Sequence, residues 1–303
     1  MISRVNNLRR RQDTTVAWLF SLPALLGLTC FVFMPFVLAI VLSFTNLRLG
    51  SPLPLEFIGL SQYQRIFTDT AFLHALKNNC VFALIVVPIQ TSLALLLALV
   101  LNQHLRAMVL FRTLFFMPVV FPLSLVAVIW ILIFAPGSQG MLNSLLDWLT
   151  FGSWQPRDFL HDTELALPAI TVTSIWQGVG FQMVILLAAL QSIPTEMYEA
   201  AKVDGAGQRQ LFCHITIPHL RNALIFVILV TTILSFRLFD QVQIMTQGGP
   251  NYATTTVMFE AVNTAFGSQQ VARAAAITVV FFVIVLMLTL LQRYLARQEG
   301  SLS

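Results

Sequence analysis

The sequence predicts an all-α polytopic membrane protein with six transmembrane helices and both termini in the cytoplasm. Three observations predict it. Of 303 residues, 57% are hydrophobic and 10% charged, against roughly 25% charged in soluble proteins, and mean hydropathy is +0.80. The apolar residues fall into six long uncharged stretches. Lysine and arginine gather on alternate connections between them. The same composition excludes a disordered chain and a secreted disulfide scaffold, and 17 Lys+Arg against 13 Asp+Glu is too dilute for a continuous nucleic-acid-binding face.

Crossing about 30 Å of hydrocarbon at 1.5 Å per residue takes about 20 apolar residues. The stretches that qualify are roughly 16–44, 81–101, 108–134, 165–190, 220–243 and 272–291. The first is longer than one perpendicular crossing, and Pro23 and Pro35 are expected to bend it or mark where it leaves the bilayer. Its arginine-rich start resembles a secretory signal, but the apolar run exceeds the usual length of about 7–15 residues and lacks a small-x-small cleavage site. A retained helix is expected. The chain then divides into a cytoplasmic segment 1–15, a membrane domain 16–292 and a cytoplasmic tail 293–303.

Six spans put both termini on one side, and charge says which. Arg4, Arg9, Arg10, Arg11, Arg106, Arg112, Lys202, Arg209, Arg221, Arg293 and Arg297 share the side of the termini. Arg48, Arg65, Lys77, Arg157 and Arg273 face the other, with Arg237 left inside a span. The richer side is cytoplasmic. A pI of about 9.3 therefore records topology and implies no polyanionic partner. External connections run about 46–72, 135–164 and 244–271, and cytoplasmic ones about 102–107 and 191–219. No internal repeat is evident.

The long cytoplasmic connection is the most informative. It reads QSIPTEMYEAAKVDGAGQRQLFCHITIPHLRNALIF from Gln191. Pro194 suits the first turn of a helix, and Glu196 with Glu199 set negative charge near its positive dipole end. Met197, Tyr198, Ala200, Ala201 and Val203 supply an apolar, small-residue surface, and Gly205 with Gly207 permits a reversal. A second short segment, 208–214, leads to Pro218 at the entry of the fifth span. Helix, glycine turn and helix make a knob too short to fold alone, so it should dock into something.

Glu199-Ala200-Ala201, three residues, Gly205, nine residues, Ile215, one residue, Ile217 and Pro218 resemble the EAA loop of binding-protein-dependent ABC importer permeases, with Ile in place of the usual Leu before the proline. The preceding SIWQGVGFQMVILLAALQSIP and the later MTQGGPNYATTTV look like the carbohydrate branch of that family, the maltose and glycerol-phosphate type. The resemblance covers essentially the whole chain. It implies a type I importer fold in a bacterial plasma (inner) membrane. It also implies that Glu199, Ala200, Ala201, Asp204, Gly205, Ile215 and Pro218 form a coupling surface seated in a groove of an ATPase subunit. Implied partners are a second homologous permease, two ABC ATPase subunits and an extracytoplasmic substrate-binding protein. ATP and magnesium belong to the ATPase subunits, and no cofactor is expected on this chain.

Other constellations are weaker. Arg237 and Asp240, at i, i+3, should share one helical face about 24 and 28 Å along the fifth span from Arg221. Charge within a span usually faces a cavity, although a pair reaching the external interface is equally consistent. Trp176, Gln177, Phe181 and Gln182 in the fourth span combine aromatic faces with amides suited to a polyhydroxylated solute, and Gln241 and Gln243 could extend that lining. Aromatic packing or interfacial anchoring accounts for the same residues. Gln247, Gly248, Gly249, Pro250 and Asn251 form a tight external turn, which the resemblance makes a candidate contact for the binding protein.

Cys30, Cys80 and Cys213 have no pairing pattern and read as free thiols, and the five histidines show no metal-ligand spacing. No GxxxxGK[ST] loop or GxSxG occurs, so hydrolysis of ATP is expected in a separate subunit. The expected function is a permease subunit forming half of an alternating-access pathway for a carbohydrate or related polyol. An ion-coupled secondary transporter or channel using Arg237 and Asp240, or a non-transporting scaffold, are the alternatives. A neutral sugar, an oligosaccharide and a glycerophosphodiester all remain open as substrates.

Overall fold

The computed structural model describes residue 16, residues 18–103 and residues 108–298. Arg4, Arg9, Arg10, Arg11 and Arg106 lie outside the described residues. In chain order the helices are α1 (Trp18–Leu42), α2 (Ser61–Thr68), α3 (Thr70–Leu101), α4 (Met108–Val120), α5 (Leu123–Ile133), α6 (Met141–Leu149), α7 (Ala166–Gln191), α8 (Thr195–Val203), α9 (Gln208–Leu211), α10 (Ile217–Phe236), α11 (Asp240–Met245), α12 (Val257–Val262) and α13 (Val271–Gln298). Among the described residues no strand forms beyond one isolated bridge between Thr45 and Phe57. The all-α expectation holds. Among the described residues, five runs are long and apolar enough to cross a membrane, and α4 with α5 supply a sixth if that bent pair is one span.

Three elements depart from the uncharged stretches. The expected second span began at 81, whereas α3 begins at Thr70, capped by the Asp69 carboxylate accepting from Ala71 N–H at 3.2 Å. Its added turns leave His74 and Lys77 exposed and bury Phe72, Ala75, Asn78 and Asn79, so packing on that face against protein replaces lipid as the reason they are helical. The expected third span is broken: α4 and α5 meet at 100°. Pro118 and Pro122 remove two amide donors around the break. The segment expected to precede the fifth span is continuous with it, joined by a π-helical turn at Phe212–Thr216.

Two compact units are present, residues 1–66 with 263–280 and residues 67–262 with 281–303. In the first, Pro35 follows a π-helical turn at Thr29–Phe33, a wider ladder beside the proline's missing N–H. The chain after α1 is fastened locally. The Ser43 and Tyr63 hydroxyls are 2.7 Å apart, Leu49 N–H donates to Gln269 C=O at 2.9 Å, and Ala272 N–H donates to Leu47 C=O at 3.0 Å.

The second unit is built on α3, α7 and α10, and its core is layered. An external cluster contains Phe82, Val86, Ala169, Ile170, Val242 and Phe259. A cytoplasmic cluster contains Ala94, Ala98, Met183, Leu186, Leu220 and Val227. Small residues let the helices approach closely, as in lipid-embedded bundles. A Cβ on Gly180 would strike the Phe115 carbonyl oxygen of α4. Between the two clusters, each of the three long helices carries polar side chains: Gln90 on α3, Gln182 on α7, and Thr231 and Ser235 on α10.

Candidate functional site

That polar layer encloses a cavity of about 260 Å³ lined by Gln90, Ser174, Gln177, Gly178, Gln182, Thr231, Ser235, Arg237, Asp240 and Gln241, with Phe82, Val86 and Leu238 on its apolar side. Gln182 Nε2 donates to Thr231 Oγ1, and Thr231 Oγ1 donates to Val227 C=O at 2.6 Å. Ser174 Oγ donates to Gln241 Oε1, and Ser235 Oγ to Thr231 C=O at 2.8 Å. The amides are thus fixed by hydroxyls on facing helices. Gln182 is 3% exposed, yet its Oε1 has no protein partner. An unpaired buried acceptor costs about 1–3 kcal/mol, and this oxygen faces a cavity from which a hydroxyl can donate to it.

Five of the sequence candidates, Gln177, Gln182, Arg237, Asp240 and Gln241, meet at this cavity. Trp176 and Phe181 do not. Trp176 is 40% exposed, packs edge-on against Trp130 at 5.7 Å and lines a separate apolar groove, and Phe181 is 39% exposed. At about 100° per residue, Trp176 projects away from the face carrying Gln182 and Gly178, whereas Phe181 lies between Ser174 and Gln177 around the helix and is turned outward, lining no part of the cavity. The shared helical face expected for Arg237 and Asp240 is also corrected. α10 ends at Phe236, Arg237 is its C-cap, and Asp240 opens α11, so the two stand on either side of a break and form no ion pair with each other. Both are exposed at the cavity rim while the amides and hydroxyls lie within. The residues missed were Gln90, Ser174, Thr231 and Ser235. Their signal was available as polar side chains at i, i+4 or i, i+8 along apolar helices, with Ser174 eight residues before Gln182 and Thr231 four before Ser235.

The break after Phe236 is held by α3. Asn79 is fully buried, its Nδ2 donates to Phe236 C=O at 3.3 Å and its Oδ1 accepts from Val257 N–H at 2.8 Å. Asn78 Nδ2 donates to the carbonyls of Tyr252 and Thr255 at 2.7 and 2.9 Å. Hydroxyls complete the external turn: Thr254 Oγ1 donates to Gly249 C=O, Thr255 Oγ1 to Gly248 C=O and Thr256 Oγ1 to Leu238 C=O. Within the expected external contact, Gly248 is buried and serves the turn, the Gly249–Pro250 peptide is cis, and Gln247 and Asn251 project to the outside.

At the opposite end, α8 stops in a Schellman arrangement. Gly205 adopts φ +84°, its N–H donates to Lys202 C=O at 3.0 Å, and Ala206 N–H donates to Ala201 C=O at 2.9 Å. Glu199, Ala200, Asp204 and Gly205 are exposed, as is Pro218 near the start of α10, while Ala201 and Ile215 line a notch of about 300 Å³ with Leu211 and His214. Tyr198 OH lies 3.0 Å from Thr216 Oγ1, tying α8 to the π-helical turn beneath α10.

This architecture is shared with characterised proteins. The chain is 34% identical over 299 residues to the lactose transport system permease protein LacF of Rhizobium radiobacter, covering 97% of this chain and 98% of that one. It is 32% identical over 281 residues to the diacetylchitobiose uptake system permease protein NgcF of Streptomyces coelicolor, covering 89% and 79%. Its fold matches a chain of the bacterial alginate ABC transporter crystallised with its alginate pentasaccharide-bound periplasmic protein, with TM-score 0.83 at 20% identity and 96% of both chains covered. With residues 90–299 matching the family description, the chain belongs to the binding-protein-dependent transport system inner membrane components.

Proposed function

We propose that the chain is a permease subunit of an ATP-driven ABC importer for a carbohydrate or related polyol, forming half of an alternating-access pathway in the inner membrane. The observation that carries the reading is the buried amide and hydroxyl layer between two apolar clusters, with Gln182 Oε1 awaiting a donor. Amides and hydroxyls offer both donors and acceptors, which matches a solute whose hydroxyls do the same. Arg237 and Asp240 at the rim would meet the solute before the amides do. The names of the related lactose and diacetylchitobiose permeases support the carbohydrate class.

The chain binds no cofactor in this reading. ATP and magnesium act on two partner ATPase subunits, a second permease completes the pathway, and a binding protein delivers the solute near Gln247 and Asn251. The α8 knob, with Glu199, Ala200, Ala201, Asp204, Gly205, Ile215 and Pro218, receives the ATPase motion. The path inward is short and stiff. Tyr198 grips Thr216, and fifteen residues of continuous helix, about 22 Å, carry displacement from there to Thr231 at the cavity.

Reconstitution with the ATPase subunits and the binding protein tests this. Uptake should require ATP, and Gly205→Asp should abolish uptake while leaving membrane insertion intact. Uptake driven by an ion gradient alone would instead assign transport to Arg237 and Asp240 as an ion-coupled device.

A further inference from the structure

The connection between α5 and α7 contains an exposed apolar surface that the transport pathway does not use. We infer that α6 is an interfacial helix, with Met141, Leu145, Trp148 and Leu149 seated among the acyl chains at the external face of the bilayer. These residues are 68%, 50%, 75% and 55% exposed. At about 100° per residue they occupy an arc of about 100°, which is the apolar stripe of a surface-seeking helix.

The opposite face is anchored to the protein. Asn143 is 1% exposed, donates from Nδ2 to Ala135 C=O at 3.3 Å and Arg157 C=O at 2.9 Å, and accepts at Oδ1 from Arg157 N–H and Trp154 Nε1–H, both at 3.0 Å. Since Ala135 is two residues past the end of α5, this clamp holds α6 at the level where the third apolar segment ends. The stripe therefore continues the exposed apolar surface of α5, whose last turn presents Leu132 at 68% exposure. Lipid is the partner that such continuity fits.

Two further features agree. Phe151, just after α6, is 97% exposed and sits at φ +53°, a left-handed conformation that disfavours any residue with a side chain. That backbone belongs to the cap that ends α6, with Phe151 N–H donating to Trp148 C=O at 3.3 Å and Gly152 N–H to Asp147 C=O at 2.8 Å. The cap turns the ring outward, and an aromatic ring is favoured at the membrane interface. Arg157, fixed beside α6 by Asn143 and lying 5.8 Å over the Trp154 ring, places a cation where lipid phosphates lie.

The test uses the full chain with the subunits it assembles with, in native membranes. A photoreactive benzoylphenylalanine replaces Trp148 or, on the polar flank, Asp147. Irradiation should give a phospholipid adduct several-fold more abundant at 148 than at 147. Equal yields, or an adduct to a second permease or to a binding protein at 148, would overturn the assignment. A second measurement avoids photochemistry. In vesicles of phosphatidylcholine and phosphatidylglycerol with brominated acyl chains, wild-type emission should be quenched more than that of Trp148→Phe. Identical quenching would overturn it as well.

Discussion

Gln182 combines near-complete burial with an oxygen that no protein donor reaches. Replacing it by an apolar side chain of similar size loses the Nε2 hydrogen bond to Thr231 but relieves the desolvation of the unpaired Oε1, so the two changes offset each other in the fold. Gln182→Leu should therefore change the stability of the assembled complex by no more than about 1 kcal/mol, while ATP-driven uptake falls at least about tenfold, the equivalent of about 1.4 kcal/mol of transition-state stabilisation. Thermal unfolding and uptake on the same preparation separate the two. A loss of stability with unchanged uptake would make Gln182 a structural residue. Asn79 is the reverse case, because its partners are backbone groups. Asn79→Ala orphans the Val257 N–H and the Phe236 carbonyl and should destabilise by about 1–3 kcal/mol, detectable as a lowered unfolding temperature. Neither asparagine drew notice in the sequence, since polar residues beside a span read equally well as its solvated end.

At the scale of elements, α8 and the glycine turn that ends it were the part most legible in the sequence. Gly205 occupies the one position in its turn that needs φ above zero, and its N–H and that of Ala206 close α8 on the Lys202 and Ala201 carbonyls. Gly205→Ala should cost about 1–2 kcal/mol locally. Uptake should fall while the ATPase activity of the complex persists, and a parallel loss of both would point to failed assembly instead. What the sequence left hidden has identifiable causes. Composition marks where lipid can be the solvent and is silent where protein replaces it, which is why the polar first turns of α3 lay outside the expected span. Pro118 and Pro122 were in plain view, but a proline in an apolar run reads alike as a kink or a full break, and the 100° angle, with α5 packed against α11, is seen only in three dimensions. Gly180 is a sharper case. Its contact with the Phe115 carbonyl is a property of the α4 and α7 pair and of neither helix alone, so Gly180→Val should force the helices apart and lower the unfolding temperature.

For the whole molecule, the layered core of the second unit is the central feature. Apolar clusters at both ends of α3 and α7, one completed by α10 and the other by α5, α11 and α12, leave a hydrogen-bonded gap near the middle, a layout costly for a passive scaffold and useful to a protein that must pass a hydroxylated solute across lipid. The charge asymmetry set the expected orientation, and the amides of α7 gave part of the lining. The contribution of α10 to that lining and the break that puts Arg237 and Asp240 on separate elements came only with three dimensions. The most direct test is accessibility of the cavity from each side. With Cys30, Cys80 and Cys213 replaced by serine and Gln177 by cysteine, the reconstituted importer is labelled by a membrane-impermeant thiol reagent from either face, with and without ATP. The account predicts that position 177 reacts from the cytoplasmic face without nucleotide and from the external face once ATP and the liganded binding protein are present. Reactivity from the same face in both states, or from neither, would contradict it.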